Sequence, residues 1–209
     1  LERRESLAAA VAALFAGPEH NMLLMPKLVL GTKQERLIAA LAVGFSGNYK
    51  ALEPLKTLMC DEDVDLQKAA AFGLSGLKDG VLDEQIVETF LKHLTPAQKP
   101  EVITSLLVNL KLFANISLES VFLSFSHHPQ KEVRLTALGG LLFTCGAGGL
   151  ARAIECLKSS DEAFRAIALS VLERHGSRRN MEAILPLMGD AHPRVRQLAR
   201  ETLGSVRER

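Results

Sequence analysis

Apolar positions recur along this chain with two periods, one nested in the other. The short one is helical. In "DAHPRVRQLARETLGSVR" (190–207), Val195, Ala199 and Leu203 are spaced four residues apart and share one helix face. The long period is about 31 residues. Steps of 31 from Arg196 reach Arg165, Arg134 and Ile103; a step of 36 reaches Gln67; steps of 31 and 32 reach Arg36 and Arg4. The residue before each anchor reads Leu66, Val102, Val133, Phe164 and Val195, broken by Glu35 and Arg3 at the N-terminal end. Three residues after the anchors come Leu7, Ala39, Ala70, Leu106, Ala137, Ala168 and Ala199. Seven after come Val11, Val43, Leu74, Leu110, Leu141, Leu172 and Leu203. The small residues at the +3 position predict close helix–helix approach.

A second amphipathic pattern lies between the anchors: 50–59, 83–94, 117–125, 149–158 and 180–189. Each ends in a polar break ("CDED", "TPAQKP", "SHHPQ", "SSDE", "GDAHP") whose Asp, Ser and Pro are helix-start chemistry. The repeat is therefore helix, turn, helix. "GFSGN", "GLKDG" and "CGAGG" read as left-handed C-caps of second helices. The longer step between Gln67 and Ile103 predicts a local irregularity. No stretch alternates like a strand. The pattern predicts an all-α chain of about six to seven helical-hairpin repeats, with residues 1–209 as one domain.

The motif D-x-x-P-x-V-R-x-x-A-x-x-x-L-G, carried by Asp190, Pro193, Val195, Arg196, Ala199, Leu203 and Gly204, resembles the HEAT repeat. The short form matches the HEAT-like repeats of phycobilin lyase subunits. The resemblance covers nearly the whole chain and loosens where Gln67 and Ile103 replace the arginine. It implies a right-handed, armadillo-like α-solenoid in which each repeat stacks only on its neighbours. It also implies that Arg36, Arg134, Arg165 and Arg196 are structural anchors, with Asp190 paired to Arg196. Recurrence supports this, since a unique ligand site has no reason to return every 31 residues. Function is less constrained: the family spans scaffolds, transport factors, nucleic-acid binders and a few enzymes.

Composition narrows the choice. A hydrophobic fraction of 47% over 209 residues excludes a disordered tail. A net charge of +1 gives no global pull toward nucleic acid or an anionic membrane. Residues 152–209 are mildly basic, with 11 Lys+Arg against 8 Asp+Glu. Cys60, Cys145 and Cys156 are odd in number and lack CxxC spacing, which points to a reducing, cytoplasmic setting. No apolar run approaches the roughly 20 residues of a membrane span, and no leader pattern is visible. The chain begins at Leu1, so flanking sequence remains open.

No catalytic, cofactor or metal site is expected. Deoxyhypusine hydroxylases, which are HEAT-like, hold di-iron with His-Glu pairs; His20, His93, His127, His128, His175 and His192 form none. Cys145 and Cys156 read as buried small hydrophobes. "GAGG" (146–149) is not followed by the Gly-Lys-Ser/Thr of a phosphate loop. HEAT-like glycosylases set aromatics beside a basic groove, whereas this chain has no Trp and one tyrosine, Tyr49. An alternative basic patch of Arg174, Arg178, Arg179, Arg194 and Arg200, extended by Arg207 and Arg209, is diluted by Glu173, Glu182, Asp190 and Glu201. A lyase-like accessory subunit is a third reading, on fold analogy alone.

The leading expectation is a non-enzymatic scaffold or adaptor for another protein. Offsets +1, +5 and +9 from the anchors are unusually apolar: Leu37, Leu41, Phe45; Lys68, Phe72, Gly76; Thr104, Val108, Leu112; Leu135, Gly139, Phe143. An exposed stripe of this kind marks a partner surface. A stripe packed on a neighbouring helix is core. The candidate binding residues are Leu37, Leu41, Lys68, Phe72, Thr104, Val108 and Leu135.

Overall fold

Polar caps start the second helices, and the computed structural model, which describes residues 17–113 and 118–209, carries them in detail. Thr32 forms a capping box with Glu35; the Asp63 carboxylate accepts the Asp65 and Leu66 amides; Pro100 and Pro193 open their helices. The described residues are helical with no strand. The anchor Arg4, with Leu7 and Val11, lies outside them. The chain divides into two compact units, 1–113 and 114–209.

In the first unit the helices are α1 (Gly17–Leu30), α2 (Lys33–Phe45), α3 (Leu52–Leu58), α4 (Val64–Gly76), α5 (Asp83–His93) and α6 (Pro100–Leu110). The second helices stack in one layer, α2 on α4 and α4 on α6. Their +3 and +7 residues are fully buried: Ala39, Ala70 and Leu106, then Val43, Leu74 and Leu110. Burying each of the large ones is worth about 1.5–3 kcal/mol. Backbones come close where α2 meets α4. A Cβ on Gly73 would lie 2.3 Å from the Ala40 carbonyl oxygen, so only glycine fits. The longer step after Gln67 lengthens α5 to 11 residues, against seven in α3.

The second unit contains α7 (Glu119–Phe125), α8 (Lys131–Gly140), α9 (Ala147–Cys156), α10 (Glu162–His175), α11 (Met181–Ile184) and α12 (Pro193–Glu208). Here α8 packs on α10 and α10 on α12. Ala137, Ala168 and Ala199 have no exposed surface, nor do Leu141 and Leu172; Leu203 is half-buried. One of the three glycine stretches ends its helix as expected, with positive φ at Gly47 directly after the Ser46 cap of α2; Gly80 also has positive φ but lies in the turn before α5, three residues past the Leu77 cap of α4. "CGAGG" does not end a helix. Gly146 caps the start of α9, and the Glu119 carboxylate accepts the Gly149 N–H at 2.6 Å. These glycines make room for Glu119 instead of ending α8: a Cβ on Gly146 would sit 2.5 Å from its Oε2.

The anchor column holds the turns. Gln67 donates to the Asp61 carbonyl at 2.6 Å, Arg134 to His128 at 2.9 Å, Arg165 to Ser159 at 2.8 Å and Arg196 to Asp190 at 2.7 Å. Each acceptor is the main-chain oxygen six residues back. Arg36 instead donates Nε to the Leu28 carbonyl. A second set of bonds joins successive repeats. Arg36 meets the Asp61 carboxylate at 2.8 Å, and Arg165 meets Asp190 through two bonds of 2.7 and 2.9 Å. The implied Asp190–Arg196 pair is thus made through the main-chain oxygen, while the Asp190 side chain serves the previous repeat. Lys33–Asp63 and Lys131–Asp161 add pairs of the same sense.

Candidate functional site

The open side of the second helices in the first unit has a polar end and an apolar end. Lys33, Asp65, Lys68 and Glu101 are exposed toward the helix starts, and Lys33 lies between Asp63 at 2.6 Å and Asp65 at 3.4 Å. Toward the helix ends, Phe72 is 46% exposed, Val108 49% and Leu112 52%. Leu37, Leu41 and Thr104 are half-buried. The side chain of Phe45 lies outside the described residues. The Lys78 ammonium donates to the Leu112 carbonyl and lies 5.4 Å from the Phe113 ring centre, beside the apolar end. In the second unit the corresponding column changes character. Leu135 is half-buried, Gly139 is buried and Phe143 is 45% exposed, but the next two helices present Ser170 and Arg174, then Glu201 and Ser205.

The arginines that cluster in sequence have different partners in the structure. Arg178 donates Nε to the Arg207 carbonyl at 2.9 Å. Arg209 donates to the carbonyls of Arg174 at 2.8 Å, Gly176 at 3.2 Å and Glu173. Both therefore cap helix C-termini, where cations oppose the negative dipole end. Arg194 and Arg200 are exposed, yet six residues at 3.6 per turn put them about 120° apart on α12. Arg179 is exposed in the turn before α11. The Arg174 guanidinium lies 5.6 Å over the Phe143 ring. Beside it, Leu142, Ser170, Glu173, Arg174, Ser205 and Arg209 line a cleft of about 410 Å³. Sequence reasoning named Arg174 and Arg209 for the basic cluster but passed over Ser170 and Ser205 here. The signal was present, because Ser170 and Arg174 occupy offsets +5 and +9 of one repeat and Ser205 offset +9 of the next.

The nucleophile candidates are placed as packing residues. Burial, with Glu119 nearby, pushes the Cys145 thiol up to about 11, and burial also raises Cys156. Thiolate, the reactive form, is scarce at neutral pH in such a setting. Cys60 is exposed, with Sγ 3.9 Å from His93 Nε2. Desolvation lowers the His93 pKa, which favours the neutral ring. His127 and His128 serve their own turn: His128 Nδ1 accepts the Gln130 amide at 3.1 Å, and its ring stacks on Phe125. Among the described residues no group of three His, Cys, Asp or Glu is placed to hold a metal ion. No helix of the described residues is long and apolar enough to cross a membrane.

Residues 150–209 match the HEAT repeats family. This span contains the motif at Asp190–Gly204 and the Arg165–Asp190 pair. This C-terminal span is built from HEAT repeats. Solved structures agree on the fold. An engineered protein from a structural genomics consortium superposes with a TM-score of 0.66 at 18% identity, covering 89% of this chain and 96% of its own. A designed armadillo repeat protein gives 0.58 at 16% identity, covering 88% and 99%. The complex of CpcE and CpcF of phycocyanin lyase from Nostoc sp. gives 0.56 at 20% identity, covering 97% and 89%. At these identities the likeness concerns the HEAT-like solenoid fold and not the activity. No curated protein matches the chain by sequence.

Proposed function

We propose that this HEAT-like protein is a non-enzymatic, cytoplasmic scaffold that binds another protein through its second-helix face. One observation carries the reading: Phe72 and Val108, at the same +5 offset on consecutive repeats, stand 46% and 49% exposed, and Leu112, one turn beyond Val108, 52%. Apolar side chains held in register across two repeats form a surface that a partner can cover, at about 25 cal/mol per Å² of apolar area buried. Lys68 at the same face adds a charged rim. The repeat period runs through both units, which supports treating residues 1–209 as one functional module.

The test is capture from source-cell lysate with the intact chain and a Phe72→Glu/Val108→Glu variant as baits. Both positions are about half exposed, so circular dichroism should show two equally helical proteins. A single protein retained by the intact chain and lost from the folded variant is the expected result. Equal capture by both baits removes this face as the binding surface. Retention of nucleic acid that salt elutes replaces the scaffold reading with a nucleic-acid one.

A further inference from the structure

The cleft between the last turns of α10 and α12 is a donor-rich pocket in a protein whose other arginines are mostly occupied. Three of its six lining residues, Arg174, Ser205 and Arg209, have hydrogen-bond donors left to offer. The Arg174 guanidinium lies 5.6 Å from the centre of the Phe143 ring, a cation–π contact that leaves its N–H groups unspent. Among the described residues no acceptor is bonded to its N–H groups. Arg209 spends three bonds on the carbonyls of Glu173, Arg174 and Gly176. That anchors its positive charge at the mouth with donors to spare. The Ser170 hydroxyl gives its one proton to the Ala166 carbonyl at 3.3 Å, so it offers a carboxylate no donor.

We propose that this cleft takes the carboxylate of an acidic side chain on a protein segment. The proposal rests on the protein-binding reading and supplies the chemistry of one contact. Two guanidiniums and one carboxylate, Glu173, give the lining a net charge of about +1, which a monoanion balances. The planar fork of Arg174 matches the two oxygens of a carboxylate. A phosphoryl dianion meets the opposing charge of Glu173. Leu142 offers an apolar wall for the methylenes of a Glu or Asp side chain. A duplex needs several cations aligned along its backbone, and here Arg178 is bound to a carbonyl while Arg194 and Arg200 face apart.

The test uses fluorescence anisotropy with the full chain and a labelled, end-blocked hexaglutamate peptide. Hexaglutamine, a duplex DNA of about 20 base pairs, and acetate and inorganic phosphate as competitors complete the set. Arg174→Gln is expected to weaken hexaglutamate binding about tenfold. Arg174→Lys, which keeps charge without the fork, falls between it and the intact chain. Arg200→Gln, the same charge change on another face, leaves binding unchanged, as does replacing nothing but the probe's label. Hexaglutamine should not bind. Equal losses in Arg174→Gln and Arg200→Gln overturn the proposal in favour of general charge attraction. Competition by phosphate at lower concentration than acetate, or tighter binding of DNA with the same Arg174 dependence, overturns the carboxylate assignment. Circular dichroism checks each variant; if Arg174→Gln loses helix, Ser205→Ala carries the comparison and must weaken hexaglutamate alone. Absence of hexaglutamate binding overturns this cleft assignment. The scaffold reading is decided separately, by the Phe72→Glu/Val108→Glu capture.

Discussion

Arg165 and Asp190 form a two-bond ion pair, Nε to Oδ2 at 2.7 Å and Nη2 to Oδ1 at 2.9 Å, with side chains only 12% and 7% exposed. The pair joins the start of α10 to the turn before α12, one repeat onward. Arg165 also donates to the Ser159 carbonyl, so a single guanidinium ties its own turn and the next. Geometry of this quality, away from water, distinguishes it from surface pairs such as Lys56–Glu53, where the carboxylate is 76% exposed.

Removing one partner leaves the other charge stranded. Arg165→Ala is expected to cost about 3 kcal/mol in urea unfolding, because the nearly buried Asp190 carboxylate loses its counter-ion. Arg200→Ala, on an exposed position, should cost less than about 0.5 kcal/mol. Similar midpoints for the two variants would sink the claim that the pair holds adjacent repeats together.

Acid should expose the same pair. The Arg165 guanidinium holds the Asp190 carboxyl below the usual range, and a similar depression at Asp161 comes from Lys131. A depressed carboxylate contributes stability that is complete above its unfolded pKa of about 3.9 and lost as pH falls through the lower folded value. The intact protein should therefore lose stability from about pH 4 downward. An Arg165→Met/Asp190→Leu variant should lose less over that range. Urea titrations at neutral pH and near pH 3 read the difference.

Glycines of two kinds should respond oppositely to alanine. Gly73→Ala forces a Cβ to within 2.3 Å of the Ala40 carbonyl oxygen, and helices α2 and α4 must move apart. A loss of about 1–3 kcal/mol is expected, as for overpacking. Gly204 lies inside α12 with nothing within 4 Å of the added methyl. Gly204→Ala should stabilise by about 0.5–1 kcal/mol through helix propensity. Thermal melts of the two variants should shift in opposite directions.

On α4, two residues apart, Phe72 and Leu74 should separate surface from core. Leu74 is fully buried, and Leu74→Ala should cost about 2–5 kcal/mol. Phe72→Ala should cost under about 1 kcal/mol, since the ring is half exposed and little cavity is left. Chemical denaturation curves compare them directly.

Thiol chemistry should be selective. Cys60 is exposed, whereas Cys145 is pushed up to about 11 and Cys156 is buried. Brief treatment with iodoacetamide at pH 8 should modify Cys60 alone, read by peptide mass spectrometry. Modification of Cys145 at a comparable rate would contradict its protonated state.

Periodicity was the legible part of this protein. Offsets of −1, +3 and +7 from Arg134, Arg165 and Arg196 named residues that the structure buries, with Leu203 only half-buried on the last helix, because a helix can present only one face to a core. The 31-residue step announced stacked hairpins, and the motif at Asp190–Gly204 named the family that residues 150–209 match. Spacing within one segment could also place Asp and Pro at helix starts, since caps are local.

Tertiary structure decided what spacing left open. Asp190 stands six residues before Arg196, and the resemblance to HEAT repeats implied that the two pair; folding brings Arg165, 25 residues earlier, to the carboxylate and leaves Arg196 the main-chain oxygen. The arginines near the end of the chain looked like one patch, yet Arg178 and Arg209 turn onto carbonyls and Arg194 and Arg200 diverge around a helix. "CGAGG" looked like a helix end and became a helix start, because Glu119 arrives from another helix to accept its amide. Whether Phe72 and Val108 were core or surface depended on which neighbour covers them. A helical period records that one side of a helix is apolar, but only the packing of separate helices determines which of those side chains meet protein and which meet water.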